Sequence, residues 1–156
     1  MSKGDKDTRV SNRKVYMDNW DKIYGKKDKQ MIRATNFEKA GDFMEAFGQE
    51  VRYIPIVPGI AEMALRLDLI NEEVQELREG MGKRSLLEIA DALTDILYVV
   101  YGAGHTFGID LDDCFEEVHR SNMTKLGEDG TPIYNQDGKV MKGPYYEEPD
   151  LTPYII

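Results

Sequence analysis

Apolar positions recur at helical spacing through most of the chain between residues 36 and 126. Phe37, Ala40, Met44 and Phe47 fall near one face of a segment that Asn36 can cap and Gly48 can stop, which predicts a helix over 36–48. VRYIPIVPGI holds two prolines and reads as a loop. Beyond it Met63, Leu67, Ile70, Val74, Leu77 and Met81 alternate at spacings of four and three, the mark of a long helix over about 60–80 with a core seam. GMGKRS reads as the turn, Ser85 as the N-cap of a second long helix to Phe107, and Gly108 as its stop. Asp110 caps a further helix from Leu111 to about Leu126. In the tail, Asp137-Gly138 between PIYNQ and KVMKG predicts a short β-hairpin. The proline-rich end is expected to be extended and able to wrap over a neighbour. The expected fold class is therefore all-α, a helical bundle with a short C-terminal β-hairpin and an extended tail. Its divisions are a basic arm over 1–35, a helical domain over 36–126, and hairpin and tail over 127–156.

The polar positions that interrupt this pattern are the informative ones. From Leu86 to Ala103 the chain is almost wholly apolar, apart from Glu88, Asp91, Asp95 and Thr94. A helix apolar on nearly all sides is expected to be buried, and buried carboxylates need a partner or a metal. Glu88, Asp91 and Asp95, at i, i+3 and i+7, form one stripe. In the preceding helix LDLINEEVQEL supplies Glu72, Glu73 and Glu76. Two long helices joined by a short turn pack antiparallel. Glu73 and Glu76 are then expected to face Glu88 and Asp91, with Glu72 beside them, free to orient or deprotonate a water. Hard carboxylate oxygens in such a group suit Mg²⁺ or Mn²⁺. Glu88 has a second reading as the capping-box residue of Ser85, which leaves Asp91 and Asp95 unexplained.

Charge narrows the partners. The net charge of −9 is uneven: residues 1–35 carry 10 Lys/Arg against 5 Asp/Glu, and residues 36–156 carry 10 against 24. An acidic body disfavours nucleic acid as the main ligand, while bound divalent metals would still admit an anionic substrate. Tyr16, Trp20 and Tyr24, with Ile23, make an aromatic stripe in the basic arm. That stripe reads first as a docking element and second as a nucleic-acid contact. A single cysteine, Cys114, excludes an intrachain disulfide and reads as a small core residue. No secretory segment or membrane-length apolar run is present, so a cytoplasmic, soluble protein is expected.

EExxE followed by ExxD resembles the pattern of the MazG-like, all-α NTP pyrophosphohydrolases, a superfamily that includes phosphoribosyl-ATP pyrophosphohydrolase and the dimeric dUTPases. The resemblance covers roughly residues 36–150 and extends to ADALTDILYVVYGAG, EVHRSNMTKL and the tail GEDGTPIYNQDGKVMKGPYY, which is similar to that of small phage and bacterial MazG-type proteins. Only 11 residues separate Glu76 from Glu88, at or just below the usual spacing, so the turn must be tight. The resemblance implies Mg²⁺ ligands at Glu73, Glu76, Glu88 and Asp91, and activation of the attacking water by Glu72. It also implies nucleotide contacts from Asn122 and Lys125, whose plain alternative is capping and solvation at a helix end. It implies cleavage of a (d)NTP to the monophosphate and pyrophosphate. Asp95 and Tyr98 are further substrate candidates, and Lys139 and Lys142 weaker phosphate candidates. Phe37, Phe43 and Phe47 could stack on a base, but read first as core.

Two other classes compete. A non-catalytic nucleotide-binding regulatory module would use the basic arm for contacts. A di-iron carboxylate protein would use Glu116 and His119 as ExxH, but needs a second such motif, and Gly102 stands three residues before His105. A single chain offers a thin bundle with apolar helix surface left over, so a homodimer or homotetramer is expected.

Overall fold

The structure, a computed structural model, describes residues 34–156; the aromatic stripe of the basic arm lies outside them. Four helices follow in order: α1 (Asn36–Ala46), α2 (Ile60–Lys83), α3 (Leu86–Phe107) and α4 (Leu111–Met123), then one 3₁₀ turn at Thr152–Tyr154. The architecture is all-α. No helix among the described residues is long and apolar enough to cross a membrane.

Local chemistry sets the helix ends. The cap of α1 is Thr35 rather than Asn36: its hydroxyl accepts the Glu38 N–H at 3.1 Å, and the Glu38 carboxylate accepts the Thr35 N–H at 2.7 Å. This reciprocal pair satisfies two donors that a helix start would otherwise leave open. Helix α2 runs through Met81 and Gly82 to Lys83, leaving only Arg84 and Ser85 to turn the chain. Arg84 takes the left-handed conformation (φ 54°) that closes α2, and the Ser85 N–H donates to the Gly80 carbonyl. At this corner the two backbones nearly touch: a Cβ on Gly80 would stand 3.1 Å from the Ile89 nitrogen. Helices α2 and α3 therefore run antiparallel along their length, and α1 packs on α3 through Ala40, Gly41 and Met44.

The proline-bearing loop after α1 docks on the end of α3. The Arg52 N–H donates to the His105 carbonyl, and the Ile56 N–H to that of Phe107. The Arg52 guanidinium donates to the Thr106 carbonyl at 2.8 Å. The Thr106 and Phe107 carbonyls, left open at the helix C-terminus, are thus filled, one by a cation where the helix dipole favours it, and the His105 carbonyl gains a second donor beside the Gly108 N–H. Gly108 then leaves α3 with φ 69°, and a Cβ there would collide with the Ile54 carbonyl.

Helix α4, capped by Asp110, packs along none of the other helices. It ends at Met123, before the expected Leu126, and the Thr124 hydroxyl donates to the Ser121 carbonyl. The tail clasps α4 instead: the Ser121 hydroxyl donates to the Glu147 carbonyl, Arg120 pairs with Glu117 and Glu147, and the Asp150 N–H donates to Glu117. Arg120 and that N–H hold the Glu117 carboxyl at about 2. Cys114 is buried as expected, and burial, then Asp110 and Asp113, push its thiol up.

The expected β-hairpin is reduced to one antiparallel bridge, Tyr134 with Val140, and no strand forms among the described residues. The Asn135 side chain takes the N–H groups of Asp137 and Lys139 and rounds the turn. Pro132 and Pro144 on either side remove the donors that a ladder would need to grow.

The expected burial of α3 is also corrected. Leu86 and Leu87 are more than 80% exposed and Leu93 and Leu97 about half exposed, as are Leu67 and Met81 of the α2 seam. Ala40, Met44, Ala92 and Cys114, with Pro58 of the loop, are the buried apolar side chains among the described residues. One chain supplies α1 and α2 to cover α3, and two helices cannot enclose a third on every side.

The Gly108 contact predicts a specific sensitivity. Gly108→Ala should cost more than about 1 kcal/mol in thermal or denaturant unfolding, through a forced left-handed φ and the Ile54 collision. Gly82→Ala meets nothing within 4 Å and sits in a helix, so it should be neutral or stabilising by up to about 1 kcal/mol. Equal effects of the two substitutions would contradict this account of the α3 terminus.

Candidate functional site

The α2–α3 corner fixes the register of everything beyond it. Gly80 lies against Glu88 and Ile89. Two turns back along α2 from Gly80 is Glu73, and two turns forward along α3 from Glu88 is Asp95. The structure accordingly brings Glu73 opposite Asp95 and Asp91, where Glu88 and Asp91 were expected. Burial raises the Glu73 carboxyl pKa first, and the charges of Glu76, Asp95, Glu72 and Asp91 raise it further. Five of the six acidic positions thus share one electrostatic neighbourhood spanning both helices.

Glu88 stands apart at the corner. Its N–H donates to the Ser85 hydroxyl at 3.3 Å, and its carboxylate pairs with Lys83 at 2.8 Å. The Glu88 side chain does not complete a capping box. Glu72, Glu76, Glu88 and Asp91 are exposed, and Glu73 and Asp95 half-buried. Among the described residues no three His, Cys, Asp or Glu side chains converge as a metal would require. The donor chemistry fits a hard divalent cation, since crowded carboxylates oppose one another's ionisation and all offer oxygen. The side-chain positions within one chain do not close around a single point.

Glu73 and Asp95 open onto a cavity of about 700 Å³ between α1, α2 and α3. Its walls are largely apolar: Phe43, Met44, Leu65, Leu69 and Val99, with Tyr98 beside Asp95. Phe43 meets Tyr98 edge-on with centroids 5.4 Å apart, and Phe47 leans on Phe43 at 4.3 Å while 70% exposed. Core packing therefore describes Phe37 alone of the three phenylalanines. Phe37 stacks on buried His105 at 3.8 Å, and the His105 Nε2 lies 2.8 Å from the Phe37 carbonyl. With His105 so engaged and His119 exposed on α4, the ligand set of a di-iron centre is not assembled.

The far end of the cavity holds residues that the sequence did not single out. Arg66 donates through Nε to the Thr106 hydroxyl at 2.7 Å and through a terminal nitrogen to the Gln49 side-chain oxygen at 3.2 Å. Glu62 pairs with Arg52 at 2.9 Å, and Arg52 with the Gly59 N–H lowers the Glu62 carboxyl. The spacing of Arg66 seven residues before Glu73, on the same helix face, was the available signal.

Asn122 and Lys125 are not brought to this cavity. They bond each other at 2.6 Å at the end of α4, a helix that meets α3 at its other end, where Leu111 lies against Gly104. Lys142 lies 4.2 Å from the Tyr146 ring, beside Glu148. Lys139 is on the Asn135 turn, and neither faces the acids.

The Glu73 environment has a pH signature. A carboxyl raised in the fold binds its proton more tightly there than in the unfolded chain, so its contribution favours folding at low pH and is lost as pH rises through the raised value. In EDTA, Glu73→Gln should raise Tm by about 1–2 °C at pH 7 relative to the parent, with the difference shrinking toward pH 4. A variant less stable than the parent at pH 7 would contradict the crowding described.

Comparison with known proteins bears on these acids. The profile of the phosphoribosyl-ATP pyrophosphohydrolase family matches residues 40–122, which contain all of α2 and α3. An uncharacterised protein of Acanthamoeba polyphaga mimivirus is 37% identical over 119 residues, covering 74% of this chain and 45% of the relative. The chain thus spans less than half the length of that relative.

Proposed function

The chain belongs to the phosphoribosyl-ATP pyrophosphohydrolase family, within the MazG-like all-α NTP pyrophosphohydrolases, and from that premise we propose that it cleaves a nucleoside triphosphate, (d)NTP, to the monophosphate and pyrophosphate with Mg²⁺ or Mn²⁺. Membership supports a pyrophosphohydrolase-type activity; the substrate, the metal and the residue roles are our reading. The observation that carries it is Glu73, crowded by four other carboxylates at one end of an apolar, aromatic-edged cavity. Such a site joins an anionic, metal-dependent end to a flat apolar one, as a nucleotide requires.

In this reading Glu73, Glu76, Glu88 and Asp91 hold the divalent ions, which when bound neutralise phosphate charge. Glu88, paired with Lys83 at the corner, would have to leave that partner and reach along α3 to join them. Glu72 orients the attacking water and accepts its proton. Asp95 accepts a hydrogen bond from the sugar or base, and Tyr98 and Phe43 wall the base. Asn122 and Lys125 contact the phosphates in the assembled oligomer, Lys125 as a point charge. Exposed Leu86, Leu87, Leu93 and Leu97 are the surface through which a homodimer or homotetramer forms. The non-catalytic regulatory module shares this cavity and differs only in lacking turnover.

Glu73→Ala and Asp91→Ala should each reduce metal-dependent pyrophosphate release by at least about 100-fold, beyond what loss of an outer-shell partner costs, with helical circular dichroism retained. Undiminished release from both would remove the metal assignment. Light scattering should give a mass of two or four chains; a single-chain mass at micromolar concentration would contradict the oligomer.

A further inference from the structure

Arg66 is a half-buried cation with unfilled hydrogen-bonding capacity. A guanidinium carries five N–H groups in a planar fork. Among the described residues Thr106 and Gln49 take one each, leaving three. Burial lowers the Arg66 pKa and the nearby Glu62 charge raises it. The terminal nitrogen without a protein partner is open to solvent, so a ligand in the cavity that accepts hydrogen bonds can take it.

The fork is also well held. The Thr106 hydroxyl that receives Nε donates in turn to the Gly102 carbonyl at 3.0 Å. Gly102 also lies beside it: a Cβ there would touch an Arg66 terminal nitrogen at 3.4 Å. The guanidinium is thus positioned from α3 although it is carried by α2.

Its neighbours decide which acceptor. Phosphate is the poorer fit, because Glu50 and Glu62, both paired with Arg52, line the same end of the cavity and bring its charge, Arg66 included, to about zero. Arg66 is two helical turns, about 10.5 Å, from Glu73 along one face of α2. That separation suits a nucleotide whose phosphates lie at the acids and whose base edge lies at the arginine. A donor-only fork matches paired acceptors such as guanine O6 and N7, and it rejects the amino group that adenine presents at the same position. Carboxylates nearby suit the N–H donors on guanine's other edge.

Resting on the pyrophosphohydrolase reading, we propose that Arg66 is the specificity-determining residue of this cavity and selects a base with a keto acceptor edge, guanine over adenine. The two purines fill the cavity equally, so their ratio isolates the edge. For the wild-type protein, kcat/KM for dGTP should exceed that for dATP by about tenfold or more. Arg66→Gln should reverse the preference toward dATP, because a carboxamide pairs with adenine N6 and N7. A merely structural arginine would lower both activities and leave their ratio unchanged. Arg66→Lys, which keeps the charge but loses the fork, should reduce the ratio to a few-fold and provides the test if Arg66→Gln does not fold. A wild-type ratio near one, or a ratio unmoved in the folded variant, would overturn the proposal while leaving the hydrolase reading intact. If no nucleotide is hydrolysed, the hydrolase reading fails, and calorimetric binding of GMP against AMP decides the proposal. Tighter GMP binding that Arg66→Gln abolishes would sustain it, and equal or absent binding would overturn it.

Discussion

Two residues, Arg84 and Ser85, separate the two longest helices, and the approach of Gly80 to Ile89 leaves those helices one antiparallel register. That register places acidic residues of α2 against acidic residues of α3, so the contact holding the domain together also brings like charges together. In a single chain the conflict is visible in Glu73, whose ionisation is opposed by burial and by neighbours from both helices. In the proposed reading a bound cation would relieve this repulsion.

The same hairpin leaves most of the apolar surface of α3 uncovered and opens the cavity beside α1. The cavity and the uncovered apolar surface thus have one origin. Two long helices make a ledge rather than a closed core, and α1 roofs one end of it. The loop after α1 fastens that roof through Arg52 and backbone donors to the last carbonyls of α3. Thr106 lies under both arginines, with its carbonyl serving Arg52 and its hydroxyl Arg66. The C-terminal turn of α3 therefore anchors the loop and positions the arginine fork together.

Much of this was legible in the residues, and for identifiable reasons. Ser85, Gly108 and Asp110 act through local geometry, and each ends or begins the helix expected of it. Periodicity carried α2, yet it could not show that the helix continues through Gly82 to Lys83, because glycine near a helix end is tolerated. This extension shifted the register and moved Glu88 out of the group expected around Glu73. Asp137-Gly138 does turn the chain, but the β-hairpin expected around it does not form, because the flanking prolines remove donors that a ladder needs. Arg66 and Thr106 lie 40 positions apart, and no spacing rule joins them. Asn122 and Lys125 illustrate the opposite limit: a motif names residues for chemistry without saying which surface of which chain they serve.

The most direct test of the central claim is a product-resolved hydrolysis assay of the purified full chain with each (d)NTP, in Mg²⁺ or Mn²⁺ and in EDTA. The account predicts metal-dependent release of pyrophosphate and the matching monophosphate, abolished by EDTA. Turnover that persists in EDTA, or release of orthophosphate and a diphosphate, would contradict it. So would the absence of any turnover from a protein that still binds the metal.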